Sequence, residues 1–242
     1  MRLLIIRHGD PDYSIDSLTP EGWKEAELLS ERLMKTKIDH YYVSPLGRAK
    51  DTASLTLKKK GEEAIECDWL QEFPPRIWRP DVTEKKMIPW DWLPEDWTKD
   101  PKHYDYEEWC KTDIMKEGEV EKTFSYVTEK FDELLAKHGY VREGNLYRVE
   151  KANTETIAIF CHFGLECVLL GHLLGISVMS LWHGTVFAPS SVTTIHTEER
   201  RKGIASFRAA SLGDISHLYA GGVEPAFAAR FCEVWDSEDR HD

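Results

Sequence analysis

Short apolar runs, each stopped by turn residues and followed by a longer amphipathic stretch, constrain this chain more than any other feature of its sequence. Such alternation produces strands separated by helices, and a strand that is apolar at every position must be covered on both faces. Leu3-Leu4-Ile5-Ile6 is the first run. Thr19-Pro20-Glu21-Gly22 then starts a helix, with Thr19 as N-cap and Pro20 at the first helical position. Ala26, Leu28, Leu29 and Leu33 continue it at near-helical spacing. Asp39 to Val43 is a second strand, ended by Ser44-Pro45, and Ala49 to Leu57 is a second helix. Ala64 to Asp68 is expected as a third strand. Phe124, Val127, Phe131, Leu134 and Leu135 form a helix ending near Gly139, and Tyr140 to Val149 is expected as a hairpin around Glu143-Gly144-Asn145. Thr156 to Cys161 is the clearest buried strand, followed by an apolar helix from Leu165 to Leu174 that Gly175 closes. Val192 to Ile195 and Ser206 to Ala210 alternate as edge-like strands. The class is α/β, with a parallel or mixed sheet.

Residues from about 73 to 122 break this rhythm. Five of the nine tryptophans fall there (Trp78, Trp90, Trp92, Trp97 and Trp109), with Pro74, Pro75, Pro80, Pro89, Pro94 and Pro101. The prolines argue against a regular sheet and the aromatics against disorder. The stretch is expected as a cap or lid inserted into a single domain spanning residues 1 to 242. Its aromatics are expected to form a small core of their own, with Trp78 or Trp90 as candidates to wall a pocket.

Composition excludes several classes. A chain of 242 residues can bury a full core without metal or disulfide staples. Its 31 Lys+Arg against 43 Asp+Glu leave a net charge of −12, which disfavours non-specific binding to nucleic acid or anionic lipid. No run approaches about 18 apolar residues, so no membrane partner is expected. Five cysteines, odd in number and without a C-x-x-C pair, speak against a disulfide framework or a thiolate zinc site and fit a reducing cytoplasm. The ten histidines show no H-x-H or H-E-x-x-H spacing, and neither metal nor cofactor is expected.

Three elements put reactive residues at strand ends, where an open α/β sheet presents its carboxyl edge to ligands. Arg7-His8-Gly9 follows the first strand directly. Ser44-Pro45-Leu46-Gly47-Arg48-Ala49-Lys50-Asp51-Thr52-Ala53 follows the second and delivers Arg48 into the first turn of a helix. Cys161-His162-Phe163-Gly164 follows the Thr156 strand. Two arginines and two histidines so placed make an oxyanion trap. A phosphoryl group carries charge on three equatorial oxygens, which forked guanidiniums and helix N-terminal amides suit. His8 is then the candidate nucleophile, kept neutral through like-charge repulsion by Arg7, Arg48 and a cationic His162. Glu72 is the candidate acid for the leaving oxygen, with Glu166 as its rival. Cys161 is expected as a buried strand residue, and His217 as a residue that fixes a C-terminal loop.

In order and approximate spacing, Arg7-His8-Gly9, Ser44-Pro45-x-x-Arg48-Ala49-x-x-Thr52-Ala53, Glu72 and His162 resemble the histidine phosphatase superfamily in its phosphoglycerate-mutase-like branch. Leu212-Gly213-Asp214-Ile215-Ser216-His217-Leu218 is similar to a C-terminal motif of that family. The resemblance covers residues 1 to 72 and about 155 to 218. It implies a three-layer α/β/α sandwich with a mostly parallel central sheet, and a metal-independent phosphohistidine mechanism acting on a small phosphorylated metabolite. His8 would be the nucleophile. Arg7, Arg48 and His162 would bind the transferring phosphoryl group, helped by the backbone amide of Phe163. Glu72 would protonate the leaving oxygen and then deprotonate the attacking water. The family's other branch usually carries an aspartate directly after the second histidine, and Phe163 stands there, so Glu72 is preferred.

Departures from the family pattern bear on the substrate. Asp10-Pro11-Asp12-Tyr13-Ser14 replaces the small hydroxyl or amide residue and later asparagine of many relatives, and two acids at the pocket mouth would repel a second phosphate. Phe73-Pro74-Pro75-Arg76 lacks the Tyr-Gly and Asn-Lys signature of phosphoglycerate mutases. Pro189-Ser190-Ser191-Val192-Thr193 stands in place of Asn-x-Ser-Val-Thr. Together these favour a phosphomonoester hydrolase over a phosphomutase or a phosphate-recognising binding protein without turnover.

Overall fold

Leu3 and Ile5 face one hydrophobic cluster and Leu4 and Ile6 a second, so the first strand is buried on both faces. In the computed structural model, which describes residues 1–228 and 230–241, that strand is β1 (Arg2–Arg7), and the chain continues through α1 (Pro20–Met34), β2 (His40–Val43) and α2 (Gly47–Lys60). Next come β3 (Ile65–Glu66), α3 (Val120–Lys137), β4 (Tyr140–Glu143), β5 (Leu146–Val149) and β6 (Thr156–Cys161). The chain then forms α4 (Phe163–Leu174), α5 (Val178–Gly184), β7 (Val192–Arg201) and β8 (Ile204–Asp214). An eight-stranded sheet has the order β3-β2-β6-β1-β7-β8-β5-β4, and Pro11–Asp12 pairs with Ser17–Leu18 in a separate two-stranded ribbon. Leu29 and Leu33 of α1 and Ala49 and Ala53 of α2 pack on one face. Val127 and Phe131 of α3, Leu165 and Val168 of α4, and Met179 of α5 pack on the other. The result is a three-layer α/β/α sandwich.

Local chemistry explains several boundaries. The Thr19 hydroxyl accepts the Gly22 amide at 3.0 Å and caps α1, as expected from the Thr-Pro start. Gly61 and Gly175 close α2 and α4 in the left-handed region, at φ +68° and +66°. The hairpin β4–β5 forms around Gly144.

Two expectations about the sheet need correction, that it is mostly parallel and that Val192 to Ile195 is edge-like. The sheet is parallel only across β3, β2, β6 and β1, and every pairing from β1 outward is antiparallel. It is therefore mixed, because the β7–β8 hairpin joins it beside β1 instead of crossing over. For the same reason β7 is an interior strand between β1 and β8. Its outer half, past Ile195, reads as alternating and polar because it runs into solvent beyond the helical layers.

Residues 73 to 122 form short helical turns at Pro89–Asp91, Pro94–Trp97 and Pro101–Tyr104, each with proline at its start, where a missing amide costs nothing. Trp92, Trp97 and Trp109 are buried in the same cluster as Leu3 and Ile5, so the segment shares the main core rather than making its own. Trp109 packs edge-on against Trp182 of α5, with ring centroids 5.3 Å apart. Among the described residues no helix is long and apolar enough to cross a membrane, and all five cysteines are free.

Candidate active site

Strand register brings the motif residues together. Arg7 pairs with Cys161 across β1 and β6, and Val43 pairs with Phe160 across β2 and β6. The residues that follow each strand therefore leave the sheet side by side at its carboxyl edge. The His8 amide donates to the Cys161 carbonyl at 3.0 Å, and the Ser44 amide donates to the Phe160 carbonyl at 3.0 Å. His8 and His162 end with ring centroids 5.0 Å apart, and Ser44 Oγ lies 2.8 Å from His162 Nε2.

Above this edge lies a cavity of about 720 Å³ whose wall includes Arg7, His8, Arg48, Glu72, Phe163 and Trp90. His8 Nδ1 stands 2.7 Å from the Gly9 carbonyl oxygen. A carbonyl only accepts, so Nδ1 carries the proton and Nε2 keeps its lone pair. Burial pushes the His8 pKa well below 6.5, with Arg7 and then Arg48 adding to the shift. His162 is fully buried and pushed the same way, by burial first and then by His8 and the two arginines. Burial and the neighbouring positive charges both disfavour its charged form, so it is neutral where a cationic partner was expected. Its Nδ1 has no hydrogen-bond partner among the described residues.

The two arginines are held at one end and open at the other. Arg7 is 4% exposed, donates to the Phe187 carbonyl, and lies over the Phe163 ring at 5.7 Å. Its Nε has no partner, and no carboxylate comes within ion-pairing distance of it among the described residues. Arg48 donates to Asp16 Oδ1 at 2.6 Å, and Asp16 Oδ2 also accepts the Gly47 amide at 2.7 Å. Buried guanidinium donors without partners make an anion site.

Glu72 sits on the N-terminus of α4. Its carboxylate accepts the Phe73 amide at 2.8 Å, the Leu165 amide at 3.0 Å and the Gly164 amide at 3.3 Å. Burial raises its pKa, and these amides and Arg7 restrain the rise.

Residues 3–209 match the histidine phosphatase superfamily, branch 1. The chain belongs to that family. It is 25% identical over 217 residues to phosphoserine phosphatase 1 of Hydrogenobacter thermophilus, covering 84% of this chain and 90% of that one. It is also 25% identical over 195 residues to the adenosylcobalamin/alpha-ribazole phosphatase of Escherichia coli, covering 76% and 84%. Among solved structures, a phosphoserine phosphatase mutant from Entamoeba histolytica in complex with phosphoserine superposes with a TM-score of 0.57 at 19% identity, over 90% of this chain and 98% of that one. A mycobacterial glucosyl-3-phosphoglycerate phosphatase gives 0.57 at 21% identity, over 87% and 98%. These likenesses place the fold among the phosphoglycerate-mutase-like structures.

Within this histidine phosphatase, Arg7, His8, Arg48, Glu72 and Phe163 share the cavity wall, and His162 packs against the His8 ring without lining the cavity. Phe163 lines the cavity with its ring under the Arg7 guanidinium, while the next two amides are taken by Glu72. Glu166, the rival acid, is buried away from that wall. Of the tryptophan candidates, Trp90 lines the cavity and packs on Trp182 at 5.5 Å, whereas Trp78 faces outward under Lys86. Asp10 is in the wall, its carboxylate accepting the Thr19 hydroxyl at 2.8 Å; Asp12 turns away to Ser14. His217, expected to fix a C-terminal loop, instead lies 3.0 Å from Ser190 Oγ and so ties the C-terminal motif to the loop before β7. Burial holds Cys161 far above the usual thiol range. Sequence reasoning missed Arg76, Trp182, Phe231 and Arg240, which also line the cavity. Arg76 stands four residues after Glu72, a spacing that put it near the site, but Arg240 gave no local signal. Its guanidinium reaches Asp91 of the tryptophan-rich segment at 2.5 Å.

Proposed function

We propose that this phosphatase hydrolyses a small phosphomonoester through a phosphohistidine on His8, without a metal ion. The observation that carries the reading is the pairing of a neutral His8, with its Nε2 lone pair available, and a buried Arg7 that no carboxylate reaches within ion-pairing distance among the described residues. A phosphoryl group supplies the missing anion and places phosphorus before the nucleophile.

In the first step His8 Nε2 attacks phosphorus and the ester P–O bond breaks. The proton of the Glu72 carboxyl group passes to the departing alkoxide, giving the free alcohol. Arg7 and Arg48 neutralise charge on the equatorial oxygens, and His162, packed against the His8 ring, supports the nucleophile from outside the cavity wall. In the second step Glu72 takes a proton from water as the water oxygen attacks phosphorus. The P–N bond breaks, its electron pair returns to Nε2, and inorganic phosphate leaves. The cavity beyond the arginines is lined by Trp90, Trp182, Arg76 and Asp91, which suits an alcohol carrying its own polar or charged groups. Relatives named for phosphoserine and alpha-ribazole phosphate chemistry are of that kind.

A panel of phosphomonoesters scored by kcat/KM, with and without chelator, tests the reading. Hydrolysis that survives chelation and disappears in His8→Ala is expected, together with an acid-labile, base-stable phosphoenzyme in rapid-quench samples. Retention of full activity by His8→Ala would overturn the mechanism. Phosphoryl exchange between positions of 3-phosphoglycerate without release of phosphate would make the protein a mutase instead.

A further inference from the structure

At the opposite end of the parallel strands from His8, three side chains converge that the phosphatase chemistry does not use. His40 opens β2, His138 follows the last turn of α3, and Glu155 immediately precedes β6. His138 Nδ1 lies 3.0 Å from Glu155 Oε2, and His40 Nε2 lies 3.6 Å from the same oxygen. One ligand atom from each of the three falls within 4.8 Å of the others. The two imidazole rings are 4.6 Å apart between centroids.

We propose that His40, His138 and Glu155 bind a borderline divalent cation of the Zn2+ type, with water completing the coordination. A tetrahedral zinc with ligands at about 2.0–2.1 Å requires ligand atoms roughly 3.3 Å from one another. The two measured approaches to Glu155 bracket that spacing. The remaining adjustment falls on His40, whose side chain is 41% exposed and free to turn. Two imidazoles and a carboxylate are the donor set that zinc favours over calcium or magnesium.

The surrounding chain pre-organises the triad. The Asn153 side chain donates to the His138 carbonyl at 2.8 Å and accepts the Glu155 amide at 3.1 Å, tying two ligands together through their backbones. Asp39, beside His40, receives the Thr156 amide at 2.9 Å and donates its own amide to the Thr156 carbonyl at 2.8 Å. Tyr42 Oη stands 2.9 Å from His138 Nε2. With a cation on Nδ1, Nε2 carries the proton and donates it to Tyr42, the outer-shell arrangement that orients metal-binding histidines. The site lies roughly 20 Å along β6 from the catalytic edge. It therefore clamps β2, α3 and β6 and takes no part in the reaction. The cation and its chemistry rest on this geometry and are independent of the phosphohistidine reading.

Titration of the purified protein with Zn2+, and with Co2+ for its visible absorption, tests the site. One equivalent is expected to bind with micromolar affinity and raise the unfolding midpoint. His40→Ala and Glu155→Gln are each expected to weaken binding by at least about tenfold, and Tyr42→Phe by about as much while leaving the fold intact. The His40→Ala variant should hydrolyse phosphomonoesters at the wild-type rate without added metal. Absence of stoichiometric binding overturns the proposal. So does binding unchanged in both ligand variants, which would move the ion to His8 and His162 or to the Cys232 and His241 pair.

Discussion

The indole of Trp90 rests directly on Gly164, so that a Cβ built on that glycine would stand 2.5 and 2.6 Å from two ring carbons and 2.8 Å from Glu72 Oε1. The contact joins the tryptophan-rich segment to the first turn of α4, where Glu72 takes its amide hydrogen bonds. No side chain larger than hydrogen fits between them.

Gly164→Ala is expected to displace both Trp90 and Glu72. Overpacking of this kind costs about 1–3 kcal/mol, and loss of the acid's position should lower kcat at least tenfold. Adding Trp90→Ala relieves only the ring clash and leaves the approach to Glu72, so the double variant should keep its low kcat. Thermal unfolding and steady-state kinetics of the single and double variants check this, and an active Gly164→Ala enzyme would refute the geometry.

Glu72→Gln separates proton donation from phosphoryl binding. General acid catalysis is worth roughly 10²–10⁴, so turnover of an alkyl phosphate should fall in that range. An aryl phosphate leaves without a proton, and formation of its phosphoenzyme should be nearly unaffected in a single-turnover burst. Equal losses for both esters would remove Glu72 from the role of acid.

Asp16 holds Arg48 and the Gly47 amide from a left-handed backbone position at φ +48°. Asp16→Ala should let Arg48 swing away and lower kcat/KM about tenfold, chiefly through KM, because a charge-assisted contact of this kind is worth about 1.5–3 kcal/mol. Asp16→Asn keeps a side chain that tolerates the left-handed region and should lose less. A KM unchanged in both variants would deny Asp16 any part in placing Arg48.

Burial pushes Glu166 up to about 8, with the Thr193 hydroxyl and Arg7 opposing the rise. An ordinary glutamate in the unfolded chain titrates near 4.3. Between those two values the folded state binds the extra proton, so stability falls as pH rises from about 4.3 to about 8 and is level above. Glu166→Gln should flatten that slope and raise the unfolding midpoint at pH 8 relative to pH 5. In a chain of this size each kcal/mol is worth roughly 2–4 °C. Parallel melting curves of the two proteins across that range would expose the prediction as wrong.

Much of the site was legible because its chemistry is written at strand ends. Arg7, His8, Ser44, Arg48 and His162 each follow an apolar run or open the helix after it, and period-two burial in β1 already required a layer of helices on each face. The order and spacing of these motifs by themselves match a known family. Other features depended on long-range pairing that local pattern does not encode. The β7–β8 hairpin made half the sheet antiparallel because it seats beside β1, a choice between sheet edges that its own alternation leaves open. The tryptophans joined the main core because α5 offers Trp182 as a partner. His162 became neutral because full burial removes solvent from its charged form, and burial is a property of the folded molecule. Arg240 reaches the cavity only because the chain end folds back to Asp91. Residue types and their placement after strands were thus fixed one-dimensionally. Solvation, register and contacts across more than a hundred residues were decided by the tertiary structure, since each depends on what packs against a group and not on its neighbours in the chain.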